Sequence, residues 1–272
     1  MFIDPKWRIL TVGDGDLSFS SSLFYQYEPR LFTASVYDSI DELAHKYGLT
    51  HFNQLKQNQV EVLFEFDVTD KQSVNKLSGK YDLVIFQFPL IPNFKSKSAF
   101  SQMKQTFGDD FSINTLNRRL LRLFIFHCLT EYLDLDGERL IYISSKDVKP
   151  YTEWNIEHRL TQNLSVNYLG KCPFNAEQFP DYQIRNVDRD KFVKDTKGQT
   201  YVWSDKSSHE SCKLSSFVAN LTPFQPKGEN GCDLCNAGIF STDIERTEHE
   251  KSKKHQRMLV LDQQWQQYLN NH

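Results

Sequence analysis

Four residues interleave glycine with carboxylate at the mouth of the first apolar run. Gly13-Asp14-Gly15-Asp16 follows "RILTV" and precedes Leu17-Ser18-Phe19-Ser20. Glycine lets backbone approach a ligand closely, and the start of a following helix offers free N–H groups. Dinucleotide sites keep acidic groups out of the turn that receives a pyrophosphate, because like charges repel. Here two carboxylates sit inside the turn, which suits a ligand that is cationic or lacks phosphates. S-adenosylmethionine, with its ammonium and sulfonium, is such a ligand. Asp38, at the tip of a second apolar run, is placed to accept both hydroxyls of a ribose. Asp67, at the tip of a third, is placed to reach an adenine amino group. Taken singly, each acid also reads as a loop or cap residue. Their recurrence at successive strand tips favours a methyl-donor site.

The second constellation lies near the other end. Cys232 and Cys235 are two residues apart, thirteen residues separate Cys235 from His249, and five separate His249 from His255. This falls within zinc-finger spacing. Phe240, Ile244 and Met258 are the expected apolar core. So small a module needs a four-ligand zinc ion to supply its folding free energy. The His spacing and "HEKSKKHQRML" resemble U1/matrin-type fingers, many of which bind structured or double-stranded RNA. Lys251, Lys253, Lys254 and Arg257 form a run without an acid, suited to phosphate contacts. Glu245, Glu248 and Glu250 nearby leave a protein-binding finger open as the alternative.

These sites need elements to hold them. Residues 8–13, 31–38, 60–70, 81–89 and 139–145 carry the apolar patterns of strands. Helical patterns fall at 18–27, after Ser39 as far as Gly48, and at 113–135. Alternation of strand and helix predicts an α/β fold with a mostly parallel sheet. With the acidic donor loop and the Cys/His spacing, the expectation is a Rossmann-like class I methyltransferase domain plus a small C-terminal C2H2 zinc finger. In such sheets ligands sit beyond the carboxyl ends of the strands, where strand order reverses. From Asp188 the chain turns polar, predicting exposed loops around a short strand, "TYVW", and a Pro/Gly-rich linker at 221–231. The expected units are 1–190 for the catalytic domain, 191–228 for a polar extension and linker, 229–262 for the finger and 263–272 for a tail.

Composition bounds the rest. With 272 residues and a net charge of -3, the surface is not uniformly basic, so a polyanion must be met by a local patch. No apolar run reaches membrane-span length and the first ten residues lack a secretory pattern. Five cysteines, mostly scattered, point to a reducing compartment. The expected location is intracellular: cytoplasmic, or nuclear and nucleolar in a eukaryote.

The segments "ILTVGDGDLSFSSSL", "TASVYDSIDELAHKYG", "YDLVIFQFP", "NRRLLRLF", "GERLIYIS", "PYTEWNIEHRL" and "FPDYQIRN" follow one another in the order and spacing of a known family. Over residues 7–187 the chain resembles the Bmt5-like domain, a Rossmann-like methyltransferase domain typified by an enzyme acting on N3 of a uridine in large-subunit ribosomal RNA. The resemblance implies that Gly13, Asp14, Gly15, Asp16, Ser18 and Phe19 form the S-adenosylmethionine loop. It also implies an acceptor motif after the fourth strand. There the family commonly has Asn-Phe-Pro-His, and this chain has Gln87-Phe88-Pro89-Leu90. Gln87 keeps an amide carbonyl, on a longer arm, able to accept a hydrogen bond from a target nitrogen. Leu90 keeps no titratable group. Gln87, Pro89 and Asn117 are the catalytic candidates. Arg118, Tyr151 and Trp154 are candidates for base or phosphate contacts, with helix capping and core packing as their plainer roles. Two other classes stay open: a non-catalytic binding protein working through its finger, and a nucleotide-cofactor oxidoreductase. The latter would prefer G-x-G-x-x-G, where this chain has Ser18.

Overall fold

A computed structural model describes residues 1–91, 112–186, 189–192, 198–209 and 211–271. The chain begins with β1 (Arg8–Val12), α1 (Ser18–Tyr27), β2 (Leu31–Ser35), α2 (Ile40–Tyr47), α3 (Thr50–Gln57), β3 (Glu61–Leu63) and β4 (Leu83–Gln87). Then come α4 (Ile113–His127), β5 (Leu140–Lys146) and β6 (Asn167–Phe174). A small ribbon, β7 (Arg185–Asn186) with β8 (Arg189–Phe192), precedes β9 (Gly198–Ser204) and α5 (Cys212–Ala219). The C-terminal module carries α6 (Asp243–Lys251) and α7 (Lys253–Asn270).

Seven strands form one sheet in the order β3-β2-β1-β4-β5-β9-β6, and only β9 runs against the rest. Successive residues of β4 point to opposite faces, as strand geometry requires. Leu83 and Ile85 join Phe19 and Leu55 on one side, while Val84 and Phe86 join Phe124 on the other. Thus α1 and α3 cover one face and α4 covers its opposite. Strand order reverses between β1 and β4, so the crevice expected from the alternation lies at their carboxyl ends.

Four boundaries differ from the sequence pattern. The third strand stops at Leu63, because Glu65 takes a left-handed backbone (φ 52°) and turns the chain before Asp67. The long helix ends at His127 and passes through a π-helical turn at Cys128–Tyr132. The largest correction concerns 191–228. Residues 198–204, expected as a short strand among exposed loops, form an interior strand between β5 and β6. Tyr201, Val202 and Trp203 are buried, and the polar residues that misled the composition flank the strand. Helix α5 packs back as well: Leu214 is buried, and the Phe217 ring lies 5.8 Å from that of Phe2. Thr222 exchanges backbone hydrogen bonds with Lys171 of β6. The α/β domain therefore runs to about residue 222, not 190. Residues 187–188, 193–197 and 210 of that polar stretch lie outside the described residues. Residues 263–272, expected as a tail, are mostly the end of α7, with Trp265 buried. Among the described residues no helix is long and apolar enough to cross a membrane.

Replacing Trp203 by alanine should cost about 3–5 kcal/mol of unfolding free energy, the usual range for a fully buried large aromatic. Urea denaturation measures this. A change below about 1 kcal/mol would return β9 to a peripheral extension.

Candidate functional site

A cavity of about 410 Å³ opens at the carboxyl ends of β1, β2 and β4. Its floor is the glycine–aspartate loop. Gly13 has φ +61°, and a Cβ there would stand 2.5 Å from Cε2 of Phe86, so no larger residue fits. The loop then wraps onto the start of α1. Asp14 Oδ2 accepts from the Ser20 amide at 2.6 Å, and Asp16 Oδ1 accepts from the Ser18 amide at 3.0 Å. Leu17 between them is left-handed (φ 63°), a conformation costing a non-glycine residue of the order of 1 kcal/mol.

Asp14 and Asp16 are both buried at the cavity wall. Burial first, then the charge of Asp16, pushes the Asp14 carboxyl up to about 7, against the opposing effect of the Ser20 and Phe19 amides. A cation entering the cavity would favour its ionised form. Ser18 and Phe19 do not line the cavity. Ser18 Oγ accepts from the Gln183 amide at 3.1 Å, and Phe19 packs on Phe179 and Tyr182 with ring centroids 4.8 and 5.2 Å away. They hold the 179–184 segment over the loop, which brings Tyr182 to the cavity wall.

Asp38 and Asp67 both line the cavity; Asp38 lies just beyond β2, and Asp67 is reached by the turn after β3 rather than from a strand tip. Asp38 is already engaged: Lys46 Nζ lies 2.9 and 3.1 Å from its two oxygens. Asp67 Oδ1 accepts from the Thr69 amide and hydroxyl at 2.8 and 2.7 Å. Lys46 and Tyr182 were not singled out by sequence. The signal for Lys46 was its spacing of eight from Asp38 across a capped helix. That for Tyr182 was only its place in "FPDYQIRN".

The opposite wall comes from the turn after β4. Gln87 is 6% exposed, and among the described residues neither its Oε1 nor its Nε2 has a hydrogen-bond partner. A buried amide left so costs roughly 1–3 kcal/mol, and it faces the cavity beside Pro89 and Leu90. Phe88 adopts φ 46°, donates its amide to Ser144 O at 2.9 Å, and wedges its ring against Phe174.

The remaining acceptor candidates lie elsewhere. Asn117 is buried; its Oδ1 accepts from the Ile91 amide at 2.8 Å and its Nδ2 donates to Ile113 O at 2.9 Å. It holds the end of the β4 turn and does not line the cavity. Arg118 and Trp154 are buried on the side of α4 away from the cavity, because the C-terminal module covers that face. Tyr151 is half-buried beneath Lys146, also outside the cavity.

The four Cys and His residues converge, with ligand atoms all within 4.8 Å of one another. His255 Nδ1 is 3.5 Å from Cys232 Sγ, 3.7 Å from Cys235 Sγ and 3.3 Å from His249 Nε2. Tetrahedral zinc with ordinary Zn–S and Zn–N bonds would have edges of about 3.3–3.8 Å. The donor set therefore fits zinc. The five-residue spacing is met by a break at Ser252, whose hydroxyl caps α7 through the His255 amide. Met258 is buried against Leu234 and Cys235, and Phe240 packs on His249, but Ile244 is 72% exposed and does not join the core. Lys251, Lys253 and Lys254 are exposed, Arg257 half-buried. Lys254 also sits 3.7 Å from Glu153.

A family model described as "rRNA (uridine-N3-)-methyltransferase BTM5-like" matches residues 10–186. The chain belongs to the BMT5-like family. Membership and the sheet order agree on a methyltransferase-type α/β fold. Curated relatives match part of the chain. "Heavy metal-associated isoprenylated plant protein 41" of Arabidopsis thaliana is 29% identical over 66% of this chain and 33% of its own length. "Ferredoxin-fold anticodon-binding domain-containing protein 1 homolog" of Mus musculus is 26% identical over 79% of this chain and 33% of its own. The chain thus spans about a third of the length of these relatives. Among solved structures, a putative methyltransferase from Thermoplasma acidophilum aligns over 76% of this chain and 71% of that chain, with 11% identity and a TM-score of 0.41.

Asp14 has a pH consequence. Its folded-state value lies near 7 against an ordinary value of 3.8. Between these, the folded chain holds a proton that the unfolded chain has lost, so this group lowers stability as pH rises through that window. Asp14→Asn keeps an oxygen for the Ser20 amide and cannot ionise. It should be as stable as wild type near pH 4 and more stable at pH 8. Urea melts at pH 5, 6, 7 and 8 test this; parallel pH profiles for the two proteins would refute it.

Proposed function

We propose that the protein is an S-adenosylmethionine-dependent RNA methyltransferase acting on a base nitrogen, with uridine N3 of ribosomal RNA as the target class that family membership favours. The observation that carries the reading is the buried amide of Gln87, without a partner among the described residues, facing a cavity whose floor is the buried Asp14–Asp16 loop. A cradle that admits only glycine, an acidic floor and an orphan amide fit a cationic nucleoside donor beside a hydrogen-bonding acceptor.

S-adenosylmethionine supplies a methyl group on a sulfonium whose positive charge disappears on transfer. Asp14 and Asp16 favour the donor's cationic groups, and Asp38, shared with Lys46, offers oxygens to ribose hydroxyls. Asp67 has the adenine side of the cavity. Gln87 Oε1 would accept from the target N–H and so hold that nitrogen facing the methyl group. As the N–CH3 bond forms and the S–CH3 bond breaks, the nitrogen's proton leaves to water, since neither Gln87 nor Leu90 can take it. Nε2 can donate to a neighbouring carbonyl of the base. Orientation of this kind supplies much of the rate in such transfers. Pro89 and the left-handed Phe88 hold Gln87 rigid. The Cys232, Cys235, His249 and His255 set holds zinc, and Lys251, Lys253 and Lys254 offer charge to RNA phosphates.

A second reading rests on Leu90. It leaves the acceptor wall without a titratable side chain at the family's histidine position, which favours a binding protein that has kept the donor pocket. One pair of experiments separates the two. Calorimetric titration should show micromolar S-adenosylmethionine and S-adenosylhomocysteine binding with none for NAD. Gln87→Ala should leave that affinity within about twofold while transfer to cellular RNA drops about a hundredfold, the scale of a lost alignment. Donor binding with no transfer by the wild-type protein would support the second reading. No donor binding would refute both.

A further inference from the structure

The C-terminal module is bolted to the α/β domain through one carboxylate. Asp262, on α7, accepts from three arginines. Arg118 Nη2 lies 3.2 Å from Oδ1, Arg122 Nη2 contacts the same oxygen, and Arg159 reaches Oδ2 from Nη2 at 2.6 Å and Nε at 3.1 Å. Arg118 and Arg122 are only 2% and 3% exposed, so two guanidiniums of α4 are buried with Asp262 as their carboxylate partner. Backbone oxygens complete the joint: Arg118 donates to Trp154 O, and Arg122 to Leu261 O and Arg159 O. Burying such an excess of positive charge is costly, and only a fixed carboxylate with these extra acceptors makes it tolerable.

The joint touches both functional centres. Towards the Cys/His centre, Arg118 Nη1 is 3.9 Å from Met258 Sδ, and Met258 packs on Cys235 and Leu234. Asn155 Nδ2 donates to Asp233 O, between the two cysteines, at 2.6 Å. Towards the cavity, the residue before Arg118 is Asn117, whose side chain holds the Ile91 amide at the end of the Gln87–Leu90 turn. The helix that presents Arg118 to Asp262 therefore also presents Asn117 to the turn that carries Gln87.

We infer that Asp262 is a positioning residue, through which the zinc centre, helix α7 and the turn after β4 move as one unit. In this arrangement the finger does not swing on the linker at 221–231. It is a fixed arm, and its exposed lysines keep one relation to the cavity. A nucleic acid reaching both must match that fixed geometry, which favours a folded over an extended single strand. Only this last consequence, and the naming of the turn as an acceptor wall, rests on the proposed function.

The test needs neither methyl donor nor RNA, so its failure is separable from failure of the functional reading. Zinc-loaded full-length protein is followed by two readouts: zinc release to a chromophoric chelator, and hydrogen exchange at the Ile91 amide. Asp262→Ala should release zinc about tenfold faster or more, the range for lost outer-shell support of a metal. It should also speed exchange at Ile91 while amides of β1 and β4 keep their protection, a local response that general destabilisation would not give. Asn117→Ala should free Ile91 without changing zinc release. Asp262→Asn carries the same readouts if the alanine variant does not fold. Wild-type exchange at Ile91 in the Asp262 variants, or wild-type zinc release, would overturn the inference.

Discussion

Strand β1 sits mid-sheet, with the chain winding to β2 over one face and β5 following β4 over the other. The two crossovers diverge and leave the carboxyl end of β1 uncovered. Everything in the cavity follows from that gap. The backbone must turn there without a side chain at Gly13, since Phe86 of the neighbouring strand fills the space a Cβ would need. The same gap lets Asp14 bend onto the first turn of α1, where backbone amides partly offset the cost of burying it.

The cavity contains two opposed kinds of tension. On its floor, a carboxyl is held near neutrality by burial and by a second acid. On its wall, an amide is buried without partners among the described residues. Under the proposed function, a ligand carrying positive charge on one side and an imide or amide edge on the other would relieve both. The left-handed residues Leu17 and Phe88 mark the two places where the chain accepts local strain to hold these groups. Such strain persists only where packing over-determines it. Phe88 is wedged against Phe174 and Gly198, while Leu17 is wholly buried.

The C-terminal module shows a different economy. Its own core is tiny, with Met258, Leu234 and Cys235 at its centre. Stability has to come from the metal donors and from the joint at Asp262. The Asp262 carboxyl is held below its ordinary range because Arg122 and Arg118 outweigh the opposing effect of burial. Arg118 is drawn down to about 9 by burial and by Arg122, the mark of guanidiniums short of counter-charge. Trp265 completes the contact, donating to Gln162 O and stacking beside Tyr268.

Much of this was legible in the chain itself. Gly13–Asp16 and Asp38, just beyond their strands, and the Cys232, Cys235, His249 and His255 set depend on short-range spacing, and the structure brings the first group to the cavity and the second together. The parallel orientation of β1 to β5 was legible for the same reason, through apolar runs alternating with helices. What the sequence could not determine was set by partners far away in the chain. Arg118 reads as a candidate for base or phosphate contact until Asp262, 144 residues later, closes over it. Asn117 reads as a site residue until its amide is spent on Ile91. The short strand "TYVW" reads as an exposed piece among polar loops until β5 and β6 enclose it. Local spacing determines which side chains share a turn or a helix face. Burial is decided by whichever distant surface can satisfy the same polar groups, and only the assembled structure settles that.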